Sequence, residues 1–214
     1  MAATDGRLLR RERNREAVVE ALLDLYQDGN LRPSTEEIAA RSGLSPRSLF
    51  RYFDDVDDLT GAAMQRQQER ARPLVRIDAE PGASLEVRVR SLVEQRFRLF
   101  GAVGNAAVVA RLRSPFQPVL AAQLRQTRAY LRQQIALLFT LELAGMEEDE
   151  ARATLTAADL MTTFEAYQLL TEDQAVDPAE AEALVRAGLM LILQTAVDQS
   201  SPATRVGRAE HDTG

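Results

Sequence analysis

The 214-residue chain has no cysteine and no lysine, one histidine, and no apolar run near the roughly 20 residues that a membrane span requires. Without cysteine there is no disulfide framework, no thiolate nucleophile and no cysteine-based metal site. The histidine, His211, lies in a polar C-terminal stretch and is paired with no nucleophile. There is also no glycine-rich phosphate loop. Asp54, Asp55, Asp57 and Asp58 lack the spacing of a calcium loop and the glutamate that would complete one. Glu147 to Glu150 read as a helix start, where the macrodipole favours acidic groups. No enzyme activity, cofactor or metal is therefore expected. The longest apolar stretch, near Ala187 to Val197, is broken by Gln194 and Thr195. The opening residues are basic with no apolar segment behind them, so we expect a cytoplasmic protein with no secretory signal and no membrane partner. That all 26 basic residues are arginine reflects codon preference and says nothing of function.

What is present is a hydrophobic content of 45%, enough for a real core and too much for a disordered chain. Strand signals and internal repeats are missing, and the apolar residues recur at helical spacing, so the expected fold class is all-α. The net charge of -6 argues against general affinity for nucleic acid, but its distribution is uneven. Residues 1–53 carry +1, 54–59 carry -4, 60–139 carry +8 and 140–199 carry -11. Near the N-terminus the positive charge is concentrated in Arg7, Arg10, Arg11, Arg13 and Arg15, a local basic arm.

The most informative stretch is Ser34 to Phe53, STEEIAARSGLSPRSLFRYF. Ser34 with Glu37 three residues on is a capping box, which predicts a helix start. Ile38 and Ala39 supply its apolar face, and Gly43 ends it by accepting the left-handed geometry of a helix C-terminus. Leu44 then plugs a corner. Ser45 is an N-cap and Pro46 stands at the first helical position of a second helix, where its missing N–H costs nothing. Along that helix Arg47 and Arg51 share one face and Ser48 and Tyr52 another, while Leu49 and Phe53 point to the core. Two short helices joined at a glycine corner, with arginines on the second, make a helix-turn-helix that offers its second helix to the DNA major groove.

Before this unit, Ala17, Val18, Ala21, Leu22, Leu25 and Tyr26 mark a support helix ending at Asp28-Gly29-Asn30, preceded by an arm that is flexible or partly helical up to about Arg13. After it, a connector helix is expected over 54–72, stopped by Pro73. Arg76 to Ser84 reads as a boundary loop. Five helices are then expected. They run from Ser84 to near Gly101 and Gly104, Asn105 to Arg113, Leu120 through Leu141 with a stop at Gly145, Glu147 to about Thr171, and Asp177 to Val197. The last is apolar nearly all round and must be covered on several sides, most simply by a partner subunit. The expected organisation is 1–53, arm and helix-turn-helix; 54–72, connector; 73–199, a helical second domain; and 200–214, a disordered tail.

This arrangement resembles the TetR family of transcriptional regulators. Thr35, Ile38, Ala39, Gly43, Leu44, Ser45, Leu49, Tyr52, Phe53 and Leu59 carry the resemblance, which covers about the first quarter of the chain. It implies an all-α homodimer that binds a palindromic double-stranded DNA operator as a repressor and is released by a small-molecule effector. It implies further that Thr35 and Tyr52 hold phosphates, that Arg47, Ser48 and Arg51 face the groove, and that Ser45 lies among the DNA contacts. Arg10, Arg11 and Arg13 would add backbone or minor-groove contacts. Three positions depart from the family pattern: Arg47 stands in place of glycine, Phe50 of a phosphate-binding tyrosine, and Val56 of lysine. Arg47 or Arg51 is then the candidate reader of a guanine, bonding O6 and N7. Candidate walls of an effector pocket are Arg96, Phe97, Phe100, Phe116, Tyr130 and Phe164. Candidate dimer contacts are Leu169, Leu184, Gly188, Leu191, Ile192 and Thr195. The alternative is a TetR-like protein whose DNA grip is weakened at Phe50 and Val56 and which works through protein contacts.

Overall fold

The structure, a computed structural model, describes residues 2–80 and 82–200, without the side chains at 2–5, 7 and 195–200. Pro81, most of the expected tail and His211 lie outside the described residues. Within them every regular element is a helix: α1 (Ala2–Gln27), α2 (Thr35–Ser42), α3 (Pro46–Leu49), α4 (Val56–Ala71), α5 (Leu85–Arg113), α6 (Pro118–Leu138), α7 (Thr140–Ala144), α8 (Glu148–Met161), α9 (Phe164–Gln168) and α10 (Pro178–Ser200). The elements fall into two compact units. One is Met1–Pro73 with Gly101–Arg125; the other takes the described residues of Leu74–Phe100 and Gln126–Gly214.

The first unit is built on α1. Val18, Leu22, Leu25 and Tyr26 are buried against Ile38 and Ala39 of α2, Leu49, Phe53, and Leu59 and Ala63 of α4. Each such side chain removed from water contributes about 1.5–3 kcal/mol. The N-terminal arm, expected to be flexible or partly helical, is helical from Ala2, as its run of good helix formers, Arg, Leu and Glu, allows. Gly29, at φ 88, stops α1 and returns its N–H to the Tyr26 carbonyl at 3.0 Å. The acidic run opens α4 as expected: the Asp55 carboxylate accepts from the Asp58 N–H at 2.7 Å, and Asp58 accepts from the Asp54 N–H at 3.1 Å. Glu20 of α1 then holds Arg66, at 3.1 Å, and Arg70 of α4. On another side of α4, the Gln67 amide donates to the Ala102 carbonyl at 2.9 Å and Asp57 pairs with Arg113 at 2.8 Å.

The second unit packs Val89, Leu92 and Val93 of α5 with Ile135 and Leu138 of α6, Phe139, Ala158 of α8, and Val185, Leu189 and Leu193 of α10. As expected, one helix ends and another begins at Gly104, whose φ 41 and ψ -132 break α5 in two. Helix ends depart from expectation in two places. The helix expected to reach Leu141 ends at Leu138, because Phe139 turns its ring into the core and α7 starts afresh. The helix expected to reach Thr171 breaks at Thr162 and Thr163. There Thr162 bonds back to the Ala158 carbonyl at 2.8 Å, while Thr163 caps α9 by accepting from the Ala166 N–H at 3.1 Å. A π-turn, Leu169–Asp173, follows α9.

One ion pair is buried in this unit. Arg88 bonds Glu142 through two nitrogens, at 2.7 and 2.5 Å, and also donates to the carbonyls of Leu138 (2.8 Å) and Ala83 (3.0 Å). Burial alone would raise the Glu142 pKa, but the Arg88 hydrogen bonds, a backbone bond and the Arg88 charge outweigh it and hold the carboxyl below its ordinary value. Removing one partner strands the other, so Arg88→Ala should cost about 3–5 kcal/mol, whereas the paired change Arg88→Met with Glu142→Leu should recover most of it. Chemical denaturation of the three proteins checks this. Because the folded-state pKa of Glu142 is depressed, its contribution is complete above the unfolded pKa and lost as pH falls through the folded one. The acid limb of the wild-type stability curve should therefore flatten in Glu142→Gln.

Candidate nucleic-acid interface

The corner at Ser34 to Phe53 forms through the contacts its sequence suggests. The Ser34 hydroxyl accepts from the Glu37 N–H at 3.2 Å, and the Glu37 carboxylate accepts from the Ser34 N–H at 2.7 Å. The backbone and hydroxyl bonds from Ser34 lead the causes that lower the Glu37 pKa. Gly43 sits at φ 71 and its N–H returns to α2, while Leu44 packs against the core. The second helix differs from expectation. α3 is α-helical only over Pro46–Leu49, and Ser48, Arg51 and Tyr52 each bond the carbonyl three residues back, so the segment winds on as a tighter turn. The hydroxyl of Ser45 does not cap it but lies 2.8 Å from that of Ser48.

Arg47 and Arg51 are both exposed on this segment, as are Ser45 and, on α1, Arg10, Arg11 and Arg13. Ser48, Thr35 and Tyr52 are half-buried. Arg15, by contrast, lies over the Phe53 ring, 4.9 Å from its centre, and belongs to the scaffold. The Asn14 amide donates to the Tyr52 phenol oxygen at 2.9 Å. The phenol is thereby fixed from α1 while its own O–H proton stays available to a phosphate oxygen. Sequence reasoning missed Asn14. The signal was there, since Asn14, Val18, Leu22 and Tyr26 recur every four residues and place a polar group on a buried stripe.

Phe50 is 54% exposed and lines one shallow recess with Thr35, Ile38, Leu49, Asp55, Val56 and Leu59. The two positions that lack the family's phosphate-binding residue are thus neighbours of Thr35. The acidic residues beside them are largely engaged: Asp55 and Asp58 in capping, Asp57 with Arg113 and with the Gln117 amide at 2.7 Å.

In the second unit the structure brings together Phe97, Phe100 and Phe164 and adds Tyr167, while Arg96 is buried one turn before Phe100 on α5. Phe97 meets Tyr167 edge-on with centres 5.3 Å apart, and Phe100 meets Phe164 likewise at 5.6 Å. Phe116 does not join them. It is 84% exposed in the first unit, where Ser114 and Pro115 turn the chain between α5 and α6. Tyr130 is exposed on α6 and accepts from the Gln134 amide at 3.5 Å. Among the expected dimer contacts, Leu184 and Leu191 are exposed on α10 and Leu169 on the π-turn. Ile192 packs inward against the core, and Gly188 lies so close to Met161 of α8 that a Cβ there would meet its methyl carbon at 2.1 Å. The Thr195 side chain lies outside the described residues. Among the described residues no group of three or more acidic, histidine or cysteine residues could hold a metal ion, and no helix is long and apolar enough to cross a membrane.

No protein-family model matches the sequence, and no curated protein does. Solved structures do. A transcriptional regulator from Rhodococcus sp. Rha1 superposes with a TM-score of 0.65 at 19% identity, over 85% of this chain and 96% of the other. A second Rhodococcus protein, described as a TetR-family transcriptional regulator, gives 0.62 at 17% identity, over 84% and 98%. The chain has the TetR-regulator fold. A TetR transcription regulator from Haloarcula marismortui, at 0.54 and 19% identity over 85% and 97%, agrees with that assignment. Coverage of 84–85% of this chain extends the likeness of fold from the first quarter of the sequence to both units. Within this fold the corner between α2 and α3 turns on Gly43. Since a side chain in the left-handed region costs about 1–2 kcal/mol, Gly43→Ala should lower the urea midpoint accordingly, with an unchanged m-value, even though no atom lies within 4 Å of the added carbon.

Proposed function

We propose that the protein is a DNA-binding transcriptional regulator that works in the cytoplasm as a homodimer, occupying a palindromic operator as a repressor until a small-molecule effector binds the second unit. The observation that carries this reading is the placing of Arg47 and Arg51, both exposed on the second segment of a capped helix-turn-helix, beside a Tyr52 phenol held with its proton free. Thr35, Ser45 and Ser48 lie at the same corner, and Arg10, Arg11 and Arg13 add positive charge on α1. Two such corners in a dimer would read half-sites roughly 34–36 Å apart. The exposed Leu184 and Leu191 on α10, flanking the close Gly188 approach to α8, support α10 as the surface where two copies meet. The effector would enter near Arg96 and the rings of Phe97, Phe100 and Phe164.

With Phe50 and Val56 in place of two phosphate-binding residues, recognition rests more heavily on arginine. Each arginine that reads a guanine is worth roughly 1–3 kcal/mol of discrimination. The test is selection of bound fragments from genomic DNA, followed by alanine variants on the recovered site. A palindrome whose binding weakens with salt supports the regulator; no enrichment at low salt would leave the protein-contact alternative, which the exposed Phe50 ring favours. Arg47→Ala or Arg51→Ala should relax preference at one base per half-site. Replacing Arg10, Arg11 and Arg13 should weaken binding uniformly and reduce the log–log salt slope by about 0.9 for each phosphate these arginines neutralise.

A further inference from the structure

Arg96 is buried to 1% exposure on α5, yet among the described residues it makes no ion pair. Its Nη1 donates to the amide oxygens of Gln95 (2.5 Å) and Gln134 (3.0 Å), and its Nη2 to the Leu131 carbonyl (2.9 Å). All three acceptors are neutral, and the Nε–H is buried with no acceptor at all. Asp159, whose charge acts on Arg96 through space as does the Tyr130 phenol, is itself bonded to Arg132 at 3.1 Å. Desolvation leads the causes that lower the Arg96 pKa to about 10, which marks how poorly its charge is compensated. Arg88, about two turns earlier on α5, shows the usual solution, a bidentate carboxylate.

The surroundings suit a ligand with an anionic head and an aromatic body. Phe100 follows Arg96 by one turn on the same face of α5, and its ring is packed by Phe164 and Tyr167 of α9. α9 is five residues long, ends in the π-turn Leu169–Asp173, and is followed by Ala175 at φ 51, a conformation seldom adopted by a residue with a side chain. Helices of this irregularity gather at functional sites. The glutamines beside Arg96 lead elsewhere: Gln95 donates its amide to the Leu74 carbonyl at 2.7 Å and Gln134 to the Val75 carbonyl at 2.9 Å. Leu74 and Val75 lie in the 3-10 turn Arg72–Val75 that directly continues α4.

We propose that Arg96 is the anion anchor of the effector site, and that the effector is an aromatic carboxylate whose head takes the Nε edge of the guanidinium while its ring lies among Phe97, Phe100, Phe164 and Tyr167. This rests on the effector reading above. A carboxylate on that edge supplies the acceptor that the Nε–H lacks, while Gln95 and Gln134 stay on Nη1 and go on holding the Leu74 and Val75 carbonyls of the turn after α4.

The full-length protein is tested by thermal shift with millimolar phenylacetate and 2-naphthoate against their primary amides. The carboxylates should raise Tm and the amides should not. Arg96→Met exchanges a buried charge for an apolar stem and leaves the Gln95 and Gln134 amide oxygens without a donor, so it should fold with a Tm near the wild type and should lose the shift. If it does not fold, Arg96→Lys keeps the charge without the planar edge and should weaken the shift at least tenfold in ligand concentration. An equal response to amides, no response to either carboxylate, or a carboxylate shift retained in the Arg96 variant overturns the site. Carboxylates that stabilise the protein without changing its occupancy of DNA leave the anion site standing and remove the effector reading. Release of DNA by the amides alone keeps the effector reading and overturns the anion site.

Discussion

The first unit depends on one apolar stripe. Val18, Leu22, Leu25 and Tyr26 of α1 are the surface on which α2, α3 and α4 are assembled, and none of those three has another core of its own. α3, with a single buried leucine and four residues of helix, could not hold a direction in water by itself. Its pose comes from Leu49 and Phe53 beneath it, the Gly43 turn before it and the Tyr52 bond to Asn14 behind it. The exposed arginines are therefore aimed by the core and the turn beneath them rather than by the helix that carries them.

Much of this was legible in the sequence because the signals were local. The Ser34–Glu37 capping box, the left-handed Gly43 and the Asp55 cap act within four residues, and a periodic stripe such as that of α1 declares its own buried face. What was not legible depended on distant partners. The tightening of α3 after Leu49 follows from its packing and not from its propensities. The ends of α6 and α8 were set by where Phe139 finds a core and by threonines bonding back to their own helix. Phe116 looked like a pocket residue because it is aromatic, and only the turn at Ser114-Pro115 shows that it faces out. Arg88 and Gln95 lay unremarked on the same α5 stripe that drew attention to Arg96, since a sequence does not say which buried polar groups meet one another.

The two buried arginines of α5 illustrate how differently one residue type can be used. Arg88 closes four hydrogen bonds around Glu142, Leu138 and Ala83 and fixes the junction of α6 with α7. Arg96 gathers neutral oxygens and keeps one hydrogen bond unmade. The first arrangement is complete within the fold, whereas the second is complete only with something added.

Glu20 joins α1 to α4 by gripping Arg66 and Arg70, while Gln67 and Asp57 join α4 to Ala102 and Arg113. α4 is thus riveted along two flanks inside its own unit. A pull along α4 is therefore carried at once by Glu20 of α1 and by the limb from Ala102 to Arg113, so that strain entering one flank is felt in the other.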